Sequence, residues 1–145
     1  MKSLSYVFGY NETITVSNAD TISLHNLVDR LMDSFLPLAV AKRSFIINDI
    51  DAAFNVEADE QVLAFVVGSL MSNMINSSKS VCIRVQARKT EKGIQLRVSN
   101  DGAFFYSTVA NSFAPVVEAA RQLGGNINIY NQKHEGTVIT FSMAA

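Results

Sequence analysis

Ser69, Ser72, Asn73 and Asn76 recur at steps of three and four residues inside an otherwise apolar run. That spacing puts them on one face of a helix. Asn100 stands apart from them, at the end of an alternating segment. Side-chain hydroxyls and amides of this kind recognise by hydrogen bonding, and no Ser-His-Asp arrangement accompanies them. A helix apolar around most of its girth with one such strip either lines a site or carries a solvated edge. The other reactive side chains are scattered. His25 lies near the start of a helical segment and reads as a surface histidine, His134 falls in a hairpin turn, and Cys82 points away from the apolar face of its strand. Those spacings make no metal site, and no catalytic residue is assigned.

The strip sits in the segment Asp59–Ser78, DEQVLAFVVGSLMSNMINSS. Asp59 is a good N-cap, and Glu60 puts a negative charge in the first turn, where the helix dipole favours it. Val62, Phe65, Val66, Leu70 and Met74 keep a helical period, and Leu63, Val67 and Met71 widen the apolar stripe. Upstream, Glu12–Val16 reads as a strand and Ser17–Thr21 as a loop. A helix capped by Ser23 follows, with Leu24, Leu27, Val28, Leu31 and Phe35 on one face, kinked at Pro37 and continuing toward Arg43. Ser44–Ile50 and Phe54–Glu57 read as strands.

Downstream, Val81, Ile83, Val85 and Ala87 point inward, while Cys82, Arg84, Gln86 and Arg88 point outward. A turn at Glu91-Lys92-Gly93 leads to Ile94, Leu96 and Val98, again inward. The same parity turns Asn100 toward the helices. Arg84, Arg88 and Arg97 share the opposite, wet face, which reads as solvated or as a surface for an acidic partner. After a loop carrying Phe104, Phe105 and Tyr106, a helix opens near Pro115 and closes at Gly124-Gly125. Asn126–Asn131 and Gly136–Met143 form a final hairpin with Ile127, Ile129, Ile139, Phe141 and Met143 inward. The fold class is therefore α/β (α+β): a two-layer sandwich with three helices on one face of a mixed, largely antiparallel sheet.

The 145 residues suit one domain, 48% of them hydrophobic and 17% charged. A net charge of −1 gives no reason to expect nucleic acid as a partner. The single Cys82 excludes an internal disulfide and fits a reducing, cytoplasmic setting. No apolar run approaches the ~20 residues needed to span a bilayer, and no basic-then-apolar leader is present.

With these segments placed, ISLHNLVDRLMDSFLPLAVAKR resembles the first helix of the ATP-binding (HATPase_c-like) domain of sensor histidine kinases. That domain belongs to the superfamily shared with gyrase and heat-shock chaperone ATPases. FNVEADEQVLAFVVGSLMSNMINSS is similar to its asparagine-box helix, with Asn73 at the magnesium-ligand position. VSNDGAFF stands where that family has its first glycine box, and ARQLGGNINIYNQKHEGTVITFSM resembles the closing helix and hairpin, with Gly136-Thr137 at the terminal G-T. LSYVFGYNETITV resembles the end of a dimerisation helix and a linker strand. The implied division is 1–20, linker segment and first strand, and 21–145, the ATPase-like domain.

The resemblance implies a nucleotide site at Asn73, Asn76, Ser69, Asn100, Gly102 and Thr137, but several of these depart from the family pattern. Ser69 stands where relatives have Asn, His or a basic Glu, and Asn76 stands where a Lys often helps the phosphates. Asn100 replaces the adenine-reading Asp, weakening that bond by about 1 kcal/mol. Gly102 keeps the first glycine of its box, Phe104 replaces the second, and Ala110-Asn111-Ser112 lacks the second box altogether. Little lid remains beyond Tyr106 to Ala110, so few backbone N–H donors are left for a triphosphate. Phe104 and Phe105 are expected to plug the vacated pocket, one of them over Asn100 and Gly102 near Leu70 or Met74.

The expectation is a two-component signalling module with a degenerate nucleotide site and no cofactor. It would dock on a response regulator or a histidine-kinase dimerisation domain, with a homodimer as a further expectation. The alternative is a divergent catalytic domain that binds Mg-ATP, with Asn73 on the metal. A third reading is a plain dimeric scaffold built on Met1–Tyr10.

Overall fold

A computed structural model describes residues 19–101, 113–132 and 136–144. The expected Glu12–Val16 strand, Gly102, Phe104, Phe105, the 106–112 stretch and His134 lie outside those residues.

The first described strand, β1 (Ala19–Ser23), pairs antiparallel with β3 (Asn55–Asp59), Ile22 opposite Val56 and Thr21 opposite Glu57. Ala19–Thr21 is therefore strand, where turn-forming composition points to a loop. The pairing sinks Ile22 and Val56 into the core, and burial outweighs weak local preference. Helix α1 (Leu24–Ala41) starts at Ser23, whose hydroxyl accepts the Asn26 N–H. It runs unbroken through Pro37 and buries Leu24, Leu27, Val28 and Ala39. Arg43 then takes a left-handed φ of 56°. The Ser44 N–H donates back to the Ala39 carbonyl at 2.9 Å, closing the helix before β2 (Phe45–Asn48).

Helix α2 (Glu60–Asn76) opens as its sequence dictates, with the Asp59 carboxylate accepting the N–H groups of Gln61 and Val62. Val66, Val67, Leu70, Met71, Met74 and Ile75 are wholly buried. Gly68 lets α1 approach, since Leu31 Cδ2 and Phe35 Cζ lie 3.4 and 4.0 Å from where a side chain there would begin. Phe65 departs from the sequence reading. It is 49% exposed, because positions 65, 69, 72 and 76 share one face and that face is the polar strip.

The larger sheet has the order β2-β4-β5-β7-β6, with β4 at Cys82–Lys89, β5 at Gly93–Asn100, β6 at Gly125–Gln132 and β7 at Gly136–Ala144. The β2–β4 pair is parallel and the others are antiparallel. Helix α3 (Ala114–Gln122) carries Pro115 in its first turn, and Gly124, at φ 71°, turns the chain into β6. Phe113, just ahead of α3, is buried in the core. One hydrophobic core joins the three described helices to Ile83, Val85, Leu96, Val98, Ile139 and Phe141 of the sheet.

The sheet face opposite the described helices is not uniformly wet. Val138 and Thr140 point that way yet are 0% and 4% exposed. Register flanks Val138 with Ser99 and Tyr130, and Thr140 with Arg97 and Asn128.

Candidate functional site

The polar strip of α2 lies at the core's margin: Ser69, Ser72 and Asn73 are half-buried and Asn76 is exposed. Both asparagines are oriented by their own helix. The Asn73 Nδ2 donates to the Ser69 carbonyl at 2.8 Å, and the Asn76 Nδ2 donates to the Ser72 carbonyl at 3.0 Å. Each amide is held by a carbonyl one turn back, so its oxygen lies on the side away from that carbonyl.

Asn100 is placed as strand parity requires, inward at the end of β5 and only 2% exposed. Its Nδ2 donates to the Met74 sulfur at 3.1 Å. Its Oδ1 accepts the Thr137 backbone N–H at 3.4 Å, just beyond Ser99 and Val138, the last register pair between β5 and β7. The side chain thus extends the ladder by one step. Thr137 is fully buried, and its hydroxyl donates to the Asn131 Oδ1. The structure therefore brings Asn100 and Thr137 together. It joins them to α2 through Met74, whereas Asn73, the adjacent residue, turns about 100° away around the helix.

Met74 and Asn131 were not foreseen as polar partners. Asn131 follows from its register opposite Thr137, so a correct alignment of the hairpin would have found it. Nothing in the spacing announces the Met74 contact. The neighbouring acid, Asp101, does not supply the carboxylate that position 100 lacks. It is exposed and accepts the Cys82 N–H at 2.9 Å, because one step along a strand reverses the face. Burial pushes the Cys82 thiol pKa up, the Asp101 carboxylate adds to that, and Arg84 opposes it.

His25 is a structural pin rather than a simply solvated histidine. Its Nδ1–H donates to the Ile50 carbonyl at 2.6 Å, and its Nε2 lies 3.3 Å from Asp29. Asn48 completes this joint between α1 and the end of β2, donating to Asp29 at 2.8 Å. Among the described residues, no cluster of three or more His, Cys, Asp and Glu is placed to hold a metal ion. No helix among them is long and apolar enough to cross a membrane. An open groove of about 530 Å³, lined by Leu27, Arg30, Leu31, Glu60 and Ala64, lies at the far end of α2 from Asn73.

No protein-family model and no curated protein matches the sequence. Solved structures do match. The histidine kinase AdeS of Acinetobacter baumannii is 16% identical over 90% of this chain and 68% of its own, with a TM-score of 0.77. The histidine kinase ThkA, in complex with the response regulator protein TrrA, is 17% identical over 87% of this chain and 41% of its own, at a TM-score of 0.71. The ATP-binding domain of PrrB from Mycobacterium tuberculosis is 12% identical over 88% of this chain and 98% of its own, at 0.66. The five-stranded mixed sheet, the small antiparallel sheet and the helices thus have the fold of histidine kinase ATP-binding domains.

Proposed function

We propose that this chain is a two-component signalling module whose ATPase-type domain works by docking rather than by turning over nucleotide. Its partner would be a response regulator or a histidine-kinase dimerisation domain, in a cytoplasmic setting. The carrying observation is the state of Asn100. The residue at the adenine-reading position is 2% exposed, with its amide donating to Met74 and accepting from Thr137. A purine amine would have to reach a nearly buried amide oxygen that already accepts the Thr137 N–H, and sharing or replacing that bond would return little net free energy. The fold implies Mg-ATP, but this adenine end fits it poorly. Phe104 in place of the second glycine and the glycine-free Ala110-Asn111-Ser112 support the same reading, since a phosphate cradle needs close backbone N–H groups. The solved complex of the similar kinase ThkA with a response regulator supports the choice of partner.

Calorimetric titration with ATP and magnesium tests this, and no resolvable binding heat is expected. A Kd in or below the tens of micromolar, about −6 kcal/mol or tighter, overturns it.

One observation favours the second reading, a divergent Mg-ATP-binding domain. The Asn73 amide sits half-buried at the core's margin with its NH2 on the Ser69 carbonyl, and an amide oxygen is a ligand that a hard cation accepts. Under that reading, Asn73→Ala abolishes a magnesium-dependent ATP signal that the unaltered protein gives.

A further inference from the structure

The run from Lys42 to Asp51, KRSFIINDID, is polarised, with Lys42 and Arg43 at its start and Asp49 and Asp51 at its end. Uncharged β2 lies between them. That strand ends its sheet, with β4 on one side and no described strand on the other. The Phe45 and Asp49 N–H groups donate to the Val81 and Val85 carbonyls at 3.1 and 2.8 Å. By alternation, the main-chain groups of Ile46 and Asn48 point away from β4, toward the open edge. β2 carries no Lys, Pro or charge, the devices that blunt such an edge.

Apolar side chains flank this edge on both faces. Phe45 and Ile47, in register with Cys82 and Arg84, lie on the face away from the helices. On the other face α1 runs alongside β2. It is tied there by the Ser44 N–H on the Ala39 carbonyl at one end and by His25 on the Ile50 carbonyl at the other. Met32, midway between those ties, is level with Ile47. Met32, Leu36 and Val40 form one row along α1, which continues the row of Asp29, and Asn48 of β2 reaches Asp29 at 2.8 Å. The row therefore faces the β2 side. Leu36, Val40 and Phe45, at 59%, 66% and 60%, are the most exposed large hydrophobic side chains among the described residues, and all three gather at this edge.

We infer that this edge is the seam of a homodimer, in which β2 pairs antiparallel with β2 of a second copy across a two-fold axis at Ile47. That register sets Ile46 opposite the second copy's Asn48, and the reverse, so the outward N–H and C=O groups of both residues are used. Ile47 meets its own counterpart, and Phe45 reaches the second copy's Ile47 diagonally. The same register sets Arg43 opposite the second copy's Asp51, once on each side of the axis. Neither residue belongs to an ion pair among the described residues, whereas Asp49 is held by Arg84. Antiparallel self-pairing brings the basic end of the run to the acidic end of its copy, and parallel pairing would set like charges together. The homodimer goes beyond the docking reading above and does not depend on it.

Sedimentation equilibrium of the whole chain from about 1 to 500 μM tests this. One strand pair and a short helix row make a small interface, so a reversible dimer with a Kd on the order of tens of micromolar is expected. Ile47→Lys sets two ammonium groups face to face on the axis and should leave only monomer over that range. Arg43→Glu should weaken the dimer about tenfold, since the pair occurs twice. Adding Asp51→Lys to Arg43→Glu should restore the Kd to within about threefold of the unaltered protein, a rescue that a local effect on folding does not produce. Circular dichroism checks that each variant is folded. Should Ile47→Lys fail to fold, Leu36→Lys, at an exposed helix position, is expected to weaken the dimer about fivefold or more. A monomer throughout the range overturns the inference. So does a dimer whose Kd is the same in the unaltered protein and in the folded edge variants, since its contact then lies elsewhere. Neither result bears on nucleotide binding, which the ATP titration tests separately.

Discussion

Replacing Asn100 with alanine should cost the fold about 2 kcal/mol. The side chain is 2% exposed and supplies the acceptor for the Thr137 N–H, on a residue that is itself fully buried. Losing a neutral hydrogen bond costs about 1 kcal/mol, and leaving its buried donor unsatisfied raises the range to about 1–3. The 3.4 Å separation argues for the lower half of that range. Truncation also removes the Met74 contact at 3.1 Å and opens a small void, a further fraction of a kcal/mol. Thermal unfolding followed by circular dichroism should show a melting temperature lower by about 4–8 °C. Asn100→Leu, which keeps the volume and deletes both polar contacts, should recover only the void's share of the loss. A change below about 0.5 kcal/mol for the alanine variant, typical of an unencumbered surface position, would falsify the assignment of Asn100 as a structural hydrogen-bonder. It would also remove the observation on which the docking reading rests.

Asn73→Ala should lose less than about 1 kcal/mol, because the bond from its Nδ2 returns to its own helix and water can replace it at a half-buried position. A loss of several kcal/mol by urea titration would instead make Asn73 part of the core's hydrogen bonding. Gly125→Ala should be the most damaging small change, by about 3 kcal/mol or more, since the new Cβ would lie 2.2 Å from the Ser142 carbonyl oxygen. Gly124→Ala, with open space but φ at 71°, should cost only about 1 kcal/mol. Equal losses at the two positions would contradict the packing of β6 against β7. The raised Cys82 pKa means a smaller thiolate fraction than a free cysteine at the same pH, so iodoacetamide should alkylate it more slowly at mildly alkaline pH. Its contribution to stability is complete below the unfolded-state pKa and fades as pH rises through the higher folded one. Reaction as fast as that of an unfolded control peptide would refute the shift.

Several features are written in local pattern. Asp59 caps α2 as its residue type requires, and the alternation through Ile94, Leu96 and Val98 carries Asn100 to the inward face. Pro115 and Gly124 bracket α3 through backbone chemistry that needs no distant neighbour. Periodicity encodes which way a side chain faces relative to its own element, and that much is legible without coordinates.

What a side chain meets there depends on other elements. Asn100 finds Met74 and Thr137 across 26 and 37 residues of chain, and no spacing along the sequence announces a thioether as an amide's partner. The β1–β3 pair likewise arises from register between distant segments, overriding the turn-forming composition of Ala19–Thr21. Phe65 counted as apolar in the sequence, but α1 packs against α2 at Gly68 and leaves position 65 on the open side. Hydrophobicity favours burial without choosing which of two apolar faces is covered. That choice belongs to the packing of helix on helix, so the margin of the candidate site was decided only in three dimensions.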